Sequence, residues 1–422
     1  MTYPVPSIPC LTTLKELSST YALPIYLVGG ALRDTLLQRP CRDFDLITPG
    51  DPTPIAQKLA KQQSGHWFWL DRQRLYSRVI LKSDDTTLQY DFAPFRADTL
   101  PDDLRLRDFT INAMACALDN LSQWIDPLAG KQDLENRLLR ECSPQSFSDD
   151  PLRMLKGIRH CAQFELSVED TTWRHCQKYA VQLSQVAGER IRQELALLFA
   201  QDSPRDALQH FHQSGLPQAL GLPDMTQEPA LLPIDHGYLS QVFPQAAYRY
   251  DQGLCDEFTL KSMSNFCRYV SSLDVDFYRI HELLTALKLS RKGARLVAFF
   301  HRLLRTDSKI LHQQETTDRM RLLWLEDLHA PLPEALLMLG VVERRAAMQS
   351  CWRRLYEQSD ALLANGRVRP LLSGTRLKEL CPDLPGQEFG NVLRMLRLIE
   401  LKGKIATAQQ AENYLIQWCE SH

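Results

Sequence analysis

Asp43 and Asp45 stand two apart in DFDLIT, a run of strand-forming residues, so on an extended backbone both carboxylates project to one face. Paired carboxylates on one face can hold Mg²⁺ beside a triphosphate. Upstream, the apolar YLV runs into Gly29-Gly30 and then into helix-forming ALRDTLL. Glycines carry no side chain, so backbone N–H groups can approach phosphates at a helix start. Arg33 on that helix joins the nucleotide-binding set. A glycine pair or an Asp-x-Asp is weak alone. Together at this spacing they point to nucleotidyl transfer rather than to a surface turn and a solvated acid pair. Asp91, in TLQYDFAPF, falls on a further strand. It is either a third carboxylate, tuning the metal site or acting as a base toward an attacking hydroxyl, or a solvent-facing strand aspartate.

A second segment, LRLRDFTINAMA, offers Arg107 to neutralise phosphate, Asp108 to accept from a ribose hydroxyl, and Asn112 as donor and acceptor. The structural alternative is a helix N-terminus capped by Asp108, with Ile111 and Met114 facing the core. A third segment, DDPLR, opens a helix, with Pro151 early and Asp149 or Asp150 capping. Asp150 and Arg153, at i and i+3, are expected on one helical face. There a carboxylate accepts from an exocyclic amine while a guanidinium donates to a ring nitrogen or carbonyl. Cytosine and adenine satisfy both; uracil and guanine place a carbonyl against the carboxylate and are rejected without a template. In GERIRQE, Glu189 and Arg192 are expected to brace the base-reading helix. Asp126, in WIDPLAGKQDL, is expected as a hinge contact between the head and the helices.

These groups need a scaffold, and the chain supplies one in two parts. YLVGG, FDLIT, WFWLD, YSRVILK and QYDFAPF read as strands; from about residue 145 the apolar spacing turns helical, as in DPLRMLKGIRHCAQF, GERIRQELALLFAQ and FGNVLRMLRLIEL. Residues 215–260 are the least regular and read as a connector or insertion. The 422 residues suffice for several domains, and 44% hydrophobic with 24% charged content is ordinary for a globular protein. No apolar run reaches the roughly 18 residues that span a bilayer. The N-terminus lacks a signal-peptide pattern. Eleven scattered cysteines without CxxC spacing are expected as reduced thiols in a cytoplasm. The net charge of −2 excludes broad electrostatic coating of nucleic acid but allows a local basic surface.

Taken together, GGALRD with DFD, RDFTINAMA, DPLAG, DDPLRMLKGIRH and GERIRQE, in this order, resemble the class II tRNA nucleotidyltransferase and bacterial poly(A) polymerase family. PLLSGTRL, PGQEFGNVL and LKGKIATAQQAENYL resemble its C-terminal helices more weakly. The resemblance implies an α+β protein: a polymerase-β-like head with a mixed sheet (1–140), then an all-helical neck (141–205), body (206–345) and tail (346–422). By resemblance Asp43 and Asp45 bind catalytic Mg²⁺, with Asp91 beside them. Gly29, Gly30 and Arg107 contact triphosphate, Arg33 belongs to the nucleotide-binding set, and Asp108 and Asn112 contact sugar and phosphates. Asp150 and Arg153 read the base, with Arg159 on the same helix. The implied partners are tRNA, CTP and ATP, with neither a membrane nor an obligate protein partner. Candidate tRNA contacts are Arg344, Arg345, Arg353 and Arg354, then Arg367, Arg369, Arg376 and Lys378, each equally readable as a solvated helix face.

Four departures bear on the resemblance. Leu106 replaces the first arginine of the common Arg-Arg-Asp, Asp149 replaces a glutamate, and Lys156 stands where arginine is common. Between Asp91 and Arg107 lies only FAPFRADTLPDDLRL, where CCA-adding members carry a longer, basic, flexible loop that helps the site switch from CTP to ATP. A short connector resembles CC-adding members and is also compatible with other specialised relatives, an A-adding enzyme or poly(A) polymerase being the alternative. The regions after the Asp-x-Asp strand and at the C-terminus lack the strongly basic character of poly(A) polymerases. His301 is followed by arginine, so the His-Asp of a phosphohydrolase domain is missing there.

Overall fold

The computed structural model describes residues 3–421 apart from 84–85, 202–203, most of 224–252, 306–316, 343–345, 365–366, 383 and 387. The chain divides into two compact units. Residues 1–186 with 206–219 form one, and 187–205 with 220–422 form the other.

The first unit is built on a seven-stranded sheet. Its elements are α1 (Leu11–Thr20), β1 (Tyr26–Val28), α2 (Gly30–Leu36), β2 (Asp43–Thr48), α3 (Thr53–Gln62), β3 (His66–Asp71), β4 (Tyr76–Ser83), β5 (Thr86–Pro94), α4 (Leu100–Arg105), β6 (Ala115–Ala117) and β7 (Trp124–Ile125). The strands run β3-β4-β5-β2-β1-β6-β7. Only β2 and β5 pair in parallel, with Asp45 opposite Asp91; the rest are antiparallel. All five strands expected from residue alternation are therefore present.

The alternation along β2 decides which face carries the core. Phe44 and Leu46 are buried against Ile55 and Leu59 of α3, Leu14 of α1 and Tyr90 of β5, with the Phe44 and Tyr90 rings stacked at 5.1 Å. Asp43 and Asp45 consequently lie on the other face. There Val28, Ile47 and Ala115 pack with Leu100 and Leu104 of α4.

Beyond the sheet come α5 (Gly130–Glu135), β8 (Leu138–Leu139), α6 (Ser146–Asp149), α7 (Leu152–Phe164), β9 (Ser167–Val168) and α8 (Asp170–Tyr179). β8 and β9 form a short parallel ribbon. The second unit starts with α9 (Gly188–Phe199), which packs on the helix Leu260–Ser272; a backbone so close that a Cβ on Gly188 would lie 1.8 Å from the Ala286 carbonyl explains that glycine. Helices dominate this unit, interrupted by two antiparallel ribbons, Gly253–Cys255 with Phe258–Thr259 and Leu363–Ala364 with Arg367–Val368. Among the described residues no helix is long and apolar enough to cross a membrane.

Two expectations are corrected here. Nine cysteines are free, but Cys381 and Cys419 form a disulfide, because the helices Gly374–Leu380 and Ala408–Ser421 pack together and bring residues 38 apart in sequence to a Cα separation of 6.6 Å. Nothing in the cysteine spacing announces that pairing. Arg192 and Glu189 do brace, but not the helix α7. Arg192 donates to the Glu257 carboxylate at 2.5 and 2.8 Å and to the carbonyls of Leu287 and Lys288, and Glu189 pairs with Lys288 at 3.2 Å.

Candidate active site

β1 ends at Val28, and Gly29 turns the chain with φ +76° and ψ −139°, a region L side chains rarely adopt. A Cβ there would stand 2.8 Å from Asp45 Oδ2 and 3.4 Å from Arg107 Nη1. Gly29 is thus fixed twice, by its backbone and by the Asp45 carboxylate and Arg107 guanidinium that leave no room for a side chain. α2 is only seven residues long, so the positive groups around it are mainly side chains.

Asp43, Asp45 and Asp91 share one face of adjacent strands. Desolvation, then the charge of Asp91, raises the Asp43 pKa above its ordinary value. For Asp45 burial is again the largest cause of a raised pKa; Arg107 opposes it and Asp91 reinforces it. A pair of carboxylates reluctant to ionise together fits a divalent cation, which would relieve both burial and repulsion. Asp91 differs. It is 7% exposed, so the solvent-facing reading fails. Its Oδ1 accepts from Arg78 Nε at 2.7 Å, and its Oδ2 accepts from Arg78 Nη2 at 2.9 Å and Tyr76 Oη at 2.8 Å. With both oxygens engaged, it is not poised as a base, and among the described residues no group of three or more His, Cys, Asp or Glu is gathered to hold a metal.

Arg33, Asn112, Asp108 and Lys156 form a connected chain. Arg33 Nη1 donates to Asn112 Oδ1 at 2.6 Å, Asn112 Nδ2 to Asp108 Oδ1 at 3.0 Å, and Lys156 Nζ to Asp108 Oδ2 at 2.5 Å. Asp108 also accepts its neighbour's N–H, from Phe109, at 2.8 Å. Burial alone would raise the Asp108 pKa, but Lys156 and these hydrogen bonds hold it well below the usual carboxylate range. The segment is a 3₁₀ turn, Thr110–Asn112, rather than an α-helix, with Ile111 and Met114 fully buried. Arg33 also lies over the Phe164 ring at 4.3 Å. Arg159, buried on α7, donates to Gln163 at 2.9 Å.

Asp126 is a cap rather than a hinge contact. Its carboxylate accepts the N–H groups of Gly130 and Lys131 at 2.7 and 3.0 Å and so starts α5. A Cβ on Gly130 would lie 2.0 Å from the Thr110 carbonyl, so DPLAG buttresses the turn that carries Asn112.

Asp150 and Arg153 do not share a helical face. Asp150 sits outside α7 in an extended conformation (φ −147°, ψ 97°), as a residue before proline must, and its Oδ1 accepts from Leu152 N at 3.3 Å. Arg153, on the first turn of α7, donates to the carbonyls of Leu106 (3.0 Å), Arg107 (3.3 Å) and Ser146 (3.3 Å) and to Ser146 Oγ (3.0 Å). Tyr76, Arg78 and Ser146 were not among the expected site residues. The i, i+2 spacing of Tyr76 and Arg78 on a strand carried a signal for the first two.

The basic positions of the tail are unlike one another. Arg369 donates to the carbonyls of Leu363 and Asp360 at 3.1 and 3.2 Å. Arg376 pairs with Glu412 (2.8 Å) and Glu379 (2.9 Å), and Arg354 with Asp318 (2.8 Å). Lys378 Nζ lies 5.7 Å from the Phe389 ring centroid. Arg367 lies on a two-residue strand against Ala364, while Arg344 and Arg345 fall outside the described residues, as does most of 224–252.

Known proteins align with this arrangement. The family described as the poly A polymerase head domain matches residues 25–140, and one described as a probable RNA and SrmB-binding site of polymerase A matches 165–227. A CC-adding tRNA nucleotidyltransferase of Geobacter sulfurreducens is 27% identical over 97% of this chain and 95% of its own. An A-adding tRNA nucleotidyltransferase of Deinococcus radiodurans is 30% identical over 93% of this chain and 95% of its own. Among solved structures, a CCA-adding enzyme in complex with ATP aligns with a TM-score of 0.68 and 22% identity, covering 96% of this chain and 94% of that one, which speaks for the fold. Likeness to the Deinococcus protein along nearly the whole of both chains, with the head-domain match spanning the glycine turn and all three carboxylates, places this chain in the tRNA nucleotidyltransferase and poly(A) polymerase family of enzymes.

Proposed function

We propose that this enzyme adds cytidines from CTP to the 3′ end of tRNA and stops after two. The 3′-hydroxyl oxygen forms a bond to the α-phosphorus of CTP, the bond to the bridging oxygen breaks, and pyrophosphate leaves. Mg²⁺ held by Asp43 and Asp45 would activate the hydroxyl and offset charge on the leaving group. Arg33 and Arg107 hold the phosphates, each anchored by a carboxylate or amide at its back. Asp108 and Asn112 fix the turn and face the sugar and phosphates. Asp150 and Arg153, with Arg159 behind them, read the amine and acceptor edge of the base. We assign 1–140 to the head, 141–205 to the neck, 206–345 to the body and 346–422 to the tail, with Arg367, Arg369 and Lys378 toward tRNA and Arg376 held by Glu379 and Glu412.

The connector between β5 and Arg107 carries the preference for C. It is short and fully built. Phe95 packs on Tyr26, Arg96 binds the buried Asp103 carboxylate through its N–H (2.8 Å) and Nε (3.2 Å), and Thr99 caps α4. A segment so tied leaves little freedom for the site to change from CTP to ATP. A CC-adding and an A-adding relative both align over nearly the whole chain, so the preference for C rests on the connector.

The test is purified protein with Mg²⁺ and tRNA lacking its last three nucleotides, given CTP, ATP or both. Growth by two with CTP and no further growth with ATP is expected. Growth by three with both would mean full CCA addition, and growth with ATP alone on ends already carrying CC would mean A addition.

A further inference from the structure

Ser146 is fully buried, and its hydroxyl is used in both directions. Oγ donates to the Asp108 carbonyl at 3.1 Å and accepts from Arg153 Nη1 at 3.0 Å. The Ser146 carbonyl accepts from the same Nη1 and from Asp150 N, at 3.3 and 3.4 Å. Ser146 therefore touches both residues assigned above to base reading and the segment that carries Arg107. Arg153 and Ser146 together occupy three consecutive carbonyls, those of Leu106, Arg107 and Asp108.

We propose that Ser146 is a positioning residue that sets the base selectivity of this site by fixing the guanidinium of Arg153. The inference rests on the reading of Asp150 and Arg153 as the base reader. Nη1 is committed to Ser146 and the Arg107 carbonyl, so its direction is set. Nη2 is committed to the Leu106 carbonyl, and the Nε–H takes no acceptor among the described residues. A guanidinium is a planar fork, and pinning one arm fixes the plane of the other donors. Cytosine presents adjacent acceptors to such an edge and its amine to a carboxylate. Uracil presents a carbonyl to that carboxylate and leaves a buried polar group unpaired, which is what gives selectivity. Without the hydroxyl, Nη1 loses one of its acceptors and the Asp108 carbonyl one of its donors. The fork, left on the carbonyls of Leu106, Arg107 and Ser146, is then held less tightly and separates the two pyrimidines less sharply.

The test compares wild type with Ser146→Ala, Ser146→Cys and Ser146→Thr in the full chain. Single-nucleotide addition to tRNA lacking its 3′ end is measured with CTP and with UTP. Affinity for inorganic tripolyphosphate, which has no base, is measured beside it. In Ser146→Ala, kcat/KM for CTP is expected to fall about tenfold, mainly through KM, and discrimination against UTP to fall by a similar factor. Tripolyphosphate affinity is expected to hold, and Ser146→Thr to keep the selectivity. Ser146→Cys, which preserves the volume without a strong hydrogen-bonding hydroxyl, gives the same reading if the alanine variant does not fold. A folded Ser146→Ala or Ser146→Cys protein with wild-type selectivity overturns the inference. So does a loss of tripolyphosphate binding equal to the loss of CTP binding, which would make Ser146 a support of the phosphate segment alone. A wild-type chain that adds no nucleotide to tRNA overturns the transferase reading and this inference with it.

Discussion

Lys156 Nζ lies 2.5 Å from Asp108 Oδ2, and this ion pair ties the first turns of α7 to the segment carrying Arg107 and Asn112. Lys156 is thus more than a replacement for a common arginine: it keeps a buried carboxylate ionised and in place. Lys156→Met leaves that anion without its strongest partner. Such losses cost about 3–5 kcal/mol when fully buried; with Lys156 partly exposed, about 2 kcal/mol is expected. The pH dependence has a definite sign. The folded-state pKa of Asp108 is depressed, so its stabilisation is complete above the unfolded value of about 4 and is lost as pH falls through the folded one. Urea midpoints of wild type and Lys156→Met should differ fully at pH 7 and converge in acid. A gap that stays constant down to pH 3 would refute the ion pair as its source.

Asp45 has the opposite sign. Burial chiefly, with Asp91 adding to it against Arg107, raises its pKa, so ionising it costs the folded state stability. That cost is absent below the unfolded value and grows as pH rises through the folded one. Asp45→Asn should therefore melt higher than wild type at pH 7, and the advantage should vanish near pH 3. Its nucleotide transfer should fall on the order of a hundredfold or more, the scale of a lost transition-state charge contact. Added Mg²⁺ should raise the melting temperature of wild type and leave that of Asp45→Asn unmoved. An equal Mg²⁺ effect on both proteins would take Asp45 out of the metal site.

Gly29 and Gly390 make a contrast of sign. Gly29→Ala forces φ +76° on a side chain and sets its Cβ 2.8 Å from Asp45 Oδ2. About 1–3 kcal/mol of backbone strain is expected, with displacement of Asp45 or Arg107 and loss of CTP binding. Gly390 opens the helix Phe389–Leu401 with nothing within 4 Å of a Cβ, so Gly390→Ala should stabilise by about 0.5–1 kcal/mol. Chemical denaturation of both variants checks the pair.

What was legible in the residues was local. Period-two runs marked the strands, the glycine pair marked the turn, and Asp-x-Asp marked the face opposite Phe44. The proline at 151 also held a readable signal that helical spacing overrode: the residue before a proline is extended, which takes Asp150 off the helix. The state of Asp91 was not legible, because Arg78 reaches it across a strand register that only the folded sheet defines. The Cys381–Cys419 pairing depended likewise on how two tail helices meet. Arg153 shows the same limit, since its partners at Leu106 and Arg107 are 47 and 46 residues away.

The tail arginines should separate in a salt titration. A cation that reaches phosphate lowers binding when removed and reduces the salt slope by about one per contact. Arg376 is held by Glu412 and Glu379, so its charge is largely spent within the tail, and Arg376→Gln should leave both tRNA affinity and slope near wild type. Among the described residues Arg369 donates to carbonyls alone and keeps its charge for an outside anion. Arg367→Gln with Arg369→Gln should weaken tRNA binding and lower the slope of log affinity against log salt by about two. If the double variant binds as wild type does across the titration, the tRNA footprint lies elsewhere. If Arg376→Gln instead carries the larger change, the glutamates release it on binding.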